Sequence, residues 1–322
     1  MKDNMKTKSI LGIVLMGIIC LCMVGCQNDD FMDKTNPLRT AQEGVTTGDT
    51  WSLTLEATIS DVADTRALEL VTEEGQRDVL NGYWEVDEQI GVYLNGAKLG
   101  SFEVTEVIEG TNGKSAKLEG TGLSEEGMVD GDNVLTLIYP DNDNVWNYMG
   151  QNGTIGAISR TYDYMLASLT VNKSGDDVTY TQTNIEFTNQ QSVYRFGFKD
   201  GESSIRVKQF TVNSSANTIV KGRTFNRESS DWVSTYGPLT VKPGDPTTSL
   251  LYVSILNELA GTANAEDTYE FSVITDDDAL YMGTKEITAS FFENKSQFNS
   301  FKNVAMTQAK LTPNTDTTTD VW

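Results

Sequence analysis

The chain is predicted to be all-β, two β-sandwich domains behind an export segment and a polar tether. The first reason is Trp51-Ser-Leu53-Thr-Leu55-Glu-Ala57-Thr-Ile59, which alternates apolar and polar residues without a break. Period-2 alternation of that kind marks a strand with one buried face. The second is that short apolar runs recur along the chain with Gly, Asn and Asp between them, the residues of tight turns. The third is the lack of any long, well-capped 3.6-residue pattern; only helical turns near 71–80 and 162–167 are foreseen. Many short strands joined by tight turns point to sandwiches rather than to an α/β sheet.

The N-terminus is an export segment. Lys2, Lys6 and Lys8 give it a basic start, and an uncharged run from Ile10 to Val24 follows. That run has the length of a signal-peptide apolar region, whereas a membrane-spanning helix needs about 18 or more apolar residues. Met23-Val24-Gly25-Cys26 resembles the lipobox of bacterial lipoproteins, which implies cleavage before Cys26 and lipidation on it. Each acyl chain adds about 0.8 kcal/mol per buried methylene, and more than one chain anchors stably. Gln27-Asn28-Asp29-Asp30 resembles the acidic signal that sends lipoproteins to the outer face of the outer membrane. A solvated acidic linker is the alternative. The polar stretch 28–50 is expected to be a tether.

The strands follow in order. Segments 90–94 and 97–99 flank Asn95-Gly96, a favoured type I′ hairpin pair. Segments 102–108 and 115–118 flank Gly110-Thr111-Asn112-Gly113, a second hairpin. Segment 133–139 is a strand closed by Pro140, and 178–187, 193–198, 205–212, 250–256 and 269–274 complete the set. The polar stretch 172–177 marks the domain boundary. The expected layout is therefore 1–25 signal peptide, 26–50 tether, 51–175 N-terminal sandwich and 176–322 C-terminal sandwich with a polar tail. No internal repeat is visible by inspection.

Composition excludes most chemistry. The chain has three cysteines, Cys20, Cys22 and Cys26, so the part beyond Cys26 has no disulfide, thiol nucleophile or thiolate metal site. It has no histidine, which removes the commonest general base and the commonest zinc ligand. Removing residues 1–25, with three lysines and one aspartate, changes the net charge from −22 to −24. Such an acidic chain repels nucleic acid. No cofactor is expected. Three acidic clusters, Asp130-Gly-Asp132-Asn133, Asp141-Asn-Asp143-Asn144 and Asp276-Asp-Asp278, read as turns or weak calcium sites. None has the spacing of an EF-hand loop. No pair of acids stands out as a glycosidase pair. Trp84, Trp146, Tyr148 and Trp232 either fill cores or stack on sugars. Trp146 and Tyr148, in the loop 142–148 that the sequence places at the surface, are the candidates for glycan contact.

Several segments together resemble the fimbrillins, the pilin-like lipoproteins that build type V pili. They are Trp84-Glu-Val-Asp87-Glu88-Gln-Ile90-Gly91-Val92-Tyr93; Ile138-Tyr139-Pro140 with Asp163-Tyr-Met-Leu166; Ile185-Glu-Phe187-Thr-Asn189-Gln190 running into Val193-Tyr-Arg-Phe196; and Tyr269-Glu-Phe271-Ser-Val273 with Tyr281-Met-Gly283. The chain departs from the family pattern at Asp87-Glu88, where Gly-Asp is usual, and at Asn189, where His is common. The resemblance covers roughly 51–308. It implies two transthyretin-like sandwiches and a structural or adhesive role in a pilus. It further implies partners that are other pilin subunits, a lipid anchor in the outer membrane, and host or bacterial surface glycans or proteins. In that family a trypsin-like protease cuts after an arginine that follows the first strand. Here this implies a cut between Arg66 and Ala67, displacing the strand that carries Trp51, Leu53, Leu55, Ala57 and Ile59. A cut at Arg39 would remove only the tether. The alternative function is a surface glycan-binding lipoprotein, which needs an exposed row of aromatics; an enzyme using carboxylates is a third.

Overall fold

The structure is a computed structural model that describes residues 42–43, 45–46, 50–60, 69–71, 79–182, 184–226, 231–258, 267–287 and 298–310. Cys26, Arg39, Arg66, Ala67 and the tail beyond residue 310 lie outside the described residues. The described chain is nearly all β, as the alternation predicts. Among the described residues no helix is long and apolar enough to cross a membrane.

The first half carries β1 (Gln42–Glu43), β2 (Val45–Thr46), β3 (Thr50–Ile59), β4 (Glu69–Val71), β5 (Val79–Asn81), β6 (Gln89–Leu94), β7 (Ala97–Val107), β8 (Ser115–Ser124) and β9 (Gly131–Tyr139). β10 (Val145–Asn147), a helical turn α1 (Ile155–Ala157) with a π-wound continuation Ile158–Tyr162, β11 (Met165–Ser174), β12 (Asp177–Tyr180) and β13 (Ile185–Asn189) follow. The main sheet runs β1-β12-β11-β13-β3-β8-β7-β6-β9. It closes on itself, because β9 also pairs with β11 along its whole length, Tyr139↔Met165 to Gly131↔Lys173. The two expected layers are thus one sheet curled over a single core of Trp51, Trp84, Phe102, Leu118, Leu137 and their neighbours. Both foreseen hairpins form. Asn95 at φ 49° and Gly96 at φ 77° turn β6 into β7. These are the left-handed conformations a type I′ turn requires.

The second half carries β14 (Ser192–Asp200), β15 (Ser203–Ser204), β16 (Val207–Ser214), β17 (Ile219–Asn226), β18 (Asp231–Tyr236), β19 (Leu239–Val241), β20 (Leu251–Asn257), β21 (Asp267–Thr275), β22 (Leu280–Ile287), β23 (Phe298–Ala305) and β24 (Thr307–Gln308). One sheet runs β10-β17-β20-β14-β15 with β18 on β17 and β23 on β14; the other runs β19-β16-β21-β22-β24. Tyr194, Phe196, Phe198, Phe210, Tyr269 and Phe271 meet edge to face, stacked or tilted between them. Each half pairs an early strand in parallel with a late one: β3 with β13, and β14 with β23. This repeat of arrangement is invisible in the sequence, because pairing partners impose geometry and not residue identity.

The structure corrects three expectations. The polar stretch 172–177 is the paired end of β11 and start of β12 with the tight turn 175–176 between them, Gly175 at φ 61°. Strands keep pairing in the first sheet until Asn189, so the change of sheet falls at residues 190–191 and not near residue 175. The run 178–187 is two strands, β12 and β13, which pair with different stretches of β11, 171–174 and 165–166. The helical turn near 162–167 sits earlier, at 155–162, and 165–167 already belong to β11. Of the other foreseen turn, 71–80, residues 72–78 are outside the described ones, while β4 and β5 pair antiparallel.

Candidate functional site

The first long strand, β3, and the groove that holds it form the candidate site; β1 and β2, inside the stretch expected to be a tether, precede it and pair with β12 and β3. Along β3, burial alternates at every residue, and Trp51, Leu53, Leu55, Ala57 and Ile59 are each at most 4% exposed. All five sit in the core of the first half. β3 is an interior strand. On one side it pairs antiparallel with β8, from Thr50↔Ser124 to Thr58↔Ser115. On the other it pairs parallel with β13 through Ala57, Thr58 and Ile59, and antiparallel with β2 through Trp51 and Ser52. Between those two contacts the Tyr180 hydroxyl donates to Thr54 O at 2.6 Å.

The ends of the strand are pinned as well. The Trp51 indole N–H donates to Ser124 O at 3.2 Å, and the register slips between Trp51 and Leu53 where β8 bulges. Gly120, opposite Leu53, leaves room for the Phe102 ring; a Cβ there would stand 2.6 Å from it. At the far end Ile59 N donates to Lys114 O at 2.9 Å and Ser60 N to Phe187 O at 3.0 Å. Chemically the site is a slot: apolar on its inner face, with free backbone donors and acceptors on both rims whenever β3 is absent. Losing an interior strand creates two open edges, on β8 and β13, instead of one.

The residues expected to contact glycan are elsewhere and buried. Trp146 is 1% exposed and Tyr148 fully covered, which overturns their assignment to an exposed loop. Asp and Asn around them do form turns, with Asp143 at φ 54° and Asn144 at φ 63°. The aromatics beside those turns are drawn into the second core, where Trp146 stacks on Tyr164 at 5.1 Å and lies 4.4 Å from Trp232. Trp84 is buried against Tyr139 and Phe187. Among the described residues Tyr83, at 36%, is the most exposed aromatic, so no exposed aromatic row is present there for a sugar chain.

Two of the acidic clusters, 141–144 and 276–278, are turns tied to cations, while 131–133 of the third already belong to β9. Asp141 and Asp143 hold Lys98 at 2.7 and 3.4 Å, and Asp276 and Asp278 hold Arg206 and Lys208 at 3.1 and 2.7 Å. Partial burial lowers the Lys98 pKa, but the hydrogen bond and charge of Asp141 outweigh it and raise the ammonium above its ordinary value. Burial, with Asp141 adding to it, pushes the neighbouring Tyr93 phenol up strongly. Asn133 closes its own turn, accepting from Val129 N at 3.0 Å and donating to Val129 O at 2.8 Å.

No protein-family model and no curated protein matches the chain. Solved structures similar to it include a candidate cell adhesion protein from Bacteroides ovatus, 13% identical over 80% of this chain and 95% of that one, TM-score 0.40. A candidate adhesin from the same species is 8% identical over 80% and 94%, TM-score 0.38. A fimbrial assembly protein from Parabacteroides distasonis is 12% identical over 77% and 90%, TM-score 0.33.

Proposed function

We propose that the chain is a non-enzymatic structural or adhesive subunit of a type V pilus. In this reading it is exported as a lipoprotein on Cys26, carried on the outer membrane surface, and assembled by strand exchange after its first strand is removed. The observation that carries the proposal is β3 itself, an interior strand whose five inward residues belong to the core and which is followed in sequence by Arg66. Its four large inward side chains are worth about 1.5–3 kcal/mol each on burial, so about 6–12 kcal/mol together. A whole domain is stable by only about 5–15 kcal/mol. A subunit that lost β3 with nothing in its place would stand at the edge of unfolding. The strand therefore has to be exchanged and not merely discarded.

A donor strand from a neighbouring subunit restores both contributions, apolar burial and backbone pairing along β8 and β13. Partners are then other pilin subunits, the lipid anchor, and surface glycans or proteins met by the assembled pilus. The test is digestion of the purified protein with an arginine-specific protease, followed by sequencing of the new N-terminus. A new terminus at Ala67, with polymers appearing only after that cut, is expected. Polymers formed equally well by a digested Arg66→Ala variant would end the proposal.

A further inference from the structure

We propose that residues 141–164 are a clamp, a segment of the first half that completes the sheet of the second and makes the two halves unfold as one body. The segment begins and ends in the first half. Tyr139 and Met165, which bracket it, are paired across β9 and β11. The chain thus leaves one strand after Tyr139, crosses into the second half, and returns at Met165 to the strand beside it.

Its task is visible in where its backbone hydrogen bonds go. β20 pairs with β17 only through Ile219 and Val220. β10 takes over from there, pairing antiparallel from Asn147↔Gly222 to Val145↔Thr224. Tyr148 N then donates to Lys221 O at 2.9 Å. The Gln151 side chain behaves as a surrogate strand residue: its Nε2 donates to Ser254 O at 2.8 Å and its Oε1 accepts from Ser254 N at 2.7 Å. Its backbone O accepts from Lys242 N at 3.0 Å, and Gly153 O accepts from Tyr252 N at 2.9 Å. Without the segment, these groups on β17, β20 and just after β19 lose their partners, and the loss is costly above all at Ser254, which is fully buried.

The side chains follow the backbone. Trp146 and Tyr148 are fully buried in the second core. The Arg223 guanidinium lies over both the Trp146 and Trp232 rings, at 5.4 and 5.0 Å, and pairs with Glu258 at 3.2 Å. Gly153 is required by space: it sits at φ 79°, and a Cβ there would stand 2.6 Å from the Leu251 side chain. The segment is therefore part of the second core while being covalently and sterically held by the first. Neither half can open without tearing it from one side or the other.

The experiment is scanning calorimetry on the full chain, unmodified and with Gln151→Leu plus Gly153→Val. One transition for the unmodified chain and two for the double variant are expected. Two transitions in the unmodified chain, or a double variant that still melts in one, would overturn the clamp. If the double variant does not fold, Val253→Ala in the second core decides by hydrogen exchange. Protection should fall by the same factor at β8 in the first half as at β21 in the second. A loss confined to β21 overturns the proposal equally well.

Discussion

Asp267, the first residue of β21, ties that strand to the loop between β16 and β17. Its carboxylate accepts from the hydroxyls of Ser214 and Thr218, from Ala216 N at 3.0 Å and from Thr268 N at 2.7 Å. Burial alone would raise its pKa; those hydrogen bonds outweigh burial and hold it below the ordinary value of 3.8. A depressed folded pKa gives stability that is present above the unfolded pKa and is lost as pH falls through the folded one. Asp267→Asn should therefore lower stability at pH 7, by about 1–3 kcal/mol for lost charge-assisted bonds. The gap from the unmodified protein should begin to narrow as pH falls below about 4 and vanish only below the depressed folded pKa. Thermal unfolding from pH 7 to pH 2 measures it, and a gap that stays constant would refute the account. In the sequence Asp267 is one acid among many. Its partners Ser214, Ala216 and Thr218 come from a distant part of the chain, so nothing local marks it. The same holds for Trp146, whose polar neighbours announce a loop while Trp232 and Tyr164 arrive from elsewhere to bury it.

At the scale of elements, β3 and β14 make an instructive contrast. β3 has a half-exposed face, so its sequence alternates and its inward row can be named from the residues alone. β14 is buried continuously from Ser192 to Phe198. Leu80 and Ile158, both from the first half, join Val193 and Phe298 in a small cluster on its other face. Strands covered on both faces lose the alternating signal. The prediction for β3 is that its two faces differ sharply. Leu55→Ala should cost about 2–5 kcal/mol, as large-to-small core changes do. Ser52→Ala, on the half-exposed face, should stay within about 0.5 kcal/mol. Urea unfolding reports both, and comparable losses at the two positions would mean that the inward row does not hold the strand.

At the scale of the whole molecule, the start of the chain bears on where the protein is proposed to stand in the cell. Cys26 lies outside the described residues, and the proposal that it is lipidated rests on the basic, apolar and lipobox order before it. Cys26→Ala should abolish membrane attachment. Incorporation of labelled fatty acid into that variant would show that the anchor lies elsewhere. The net charge of −22 favours a surface that stays solvated and apart from anionic partners.

Composition, spacing and alternation by themselves determined that the chain is β-rich, acidic and without histidine, that its first strand has one apolar face, and that turns fall at Asn95-Gly96 and at 110–113. These are local properties, because strand period and turn chemistry are written within a few residues. The tertiary structure alone decided that the first sheet closes through β9 and β11, that β3 pairs in parallel with β13 and β14 with β23, and that Trp146, Tyr148 and Tyr164 lie in the second core. Those depend on which surfaces meet between segments far apart in the chain, where backbone hydrogen bonding is the same for every sequence. The partner is then chosen by shape and burial, which no short window of residues records.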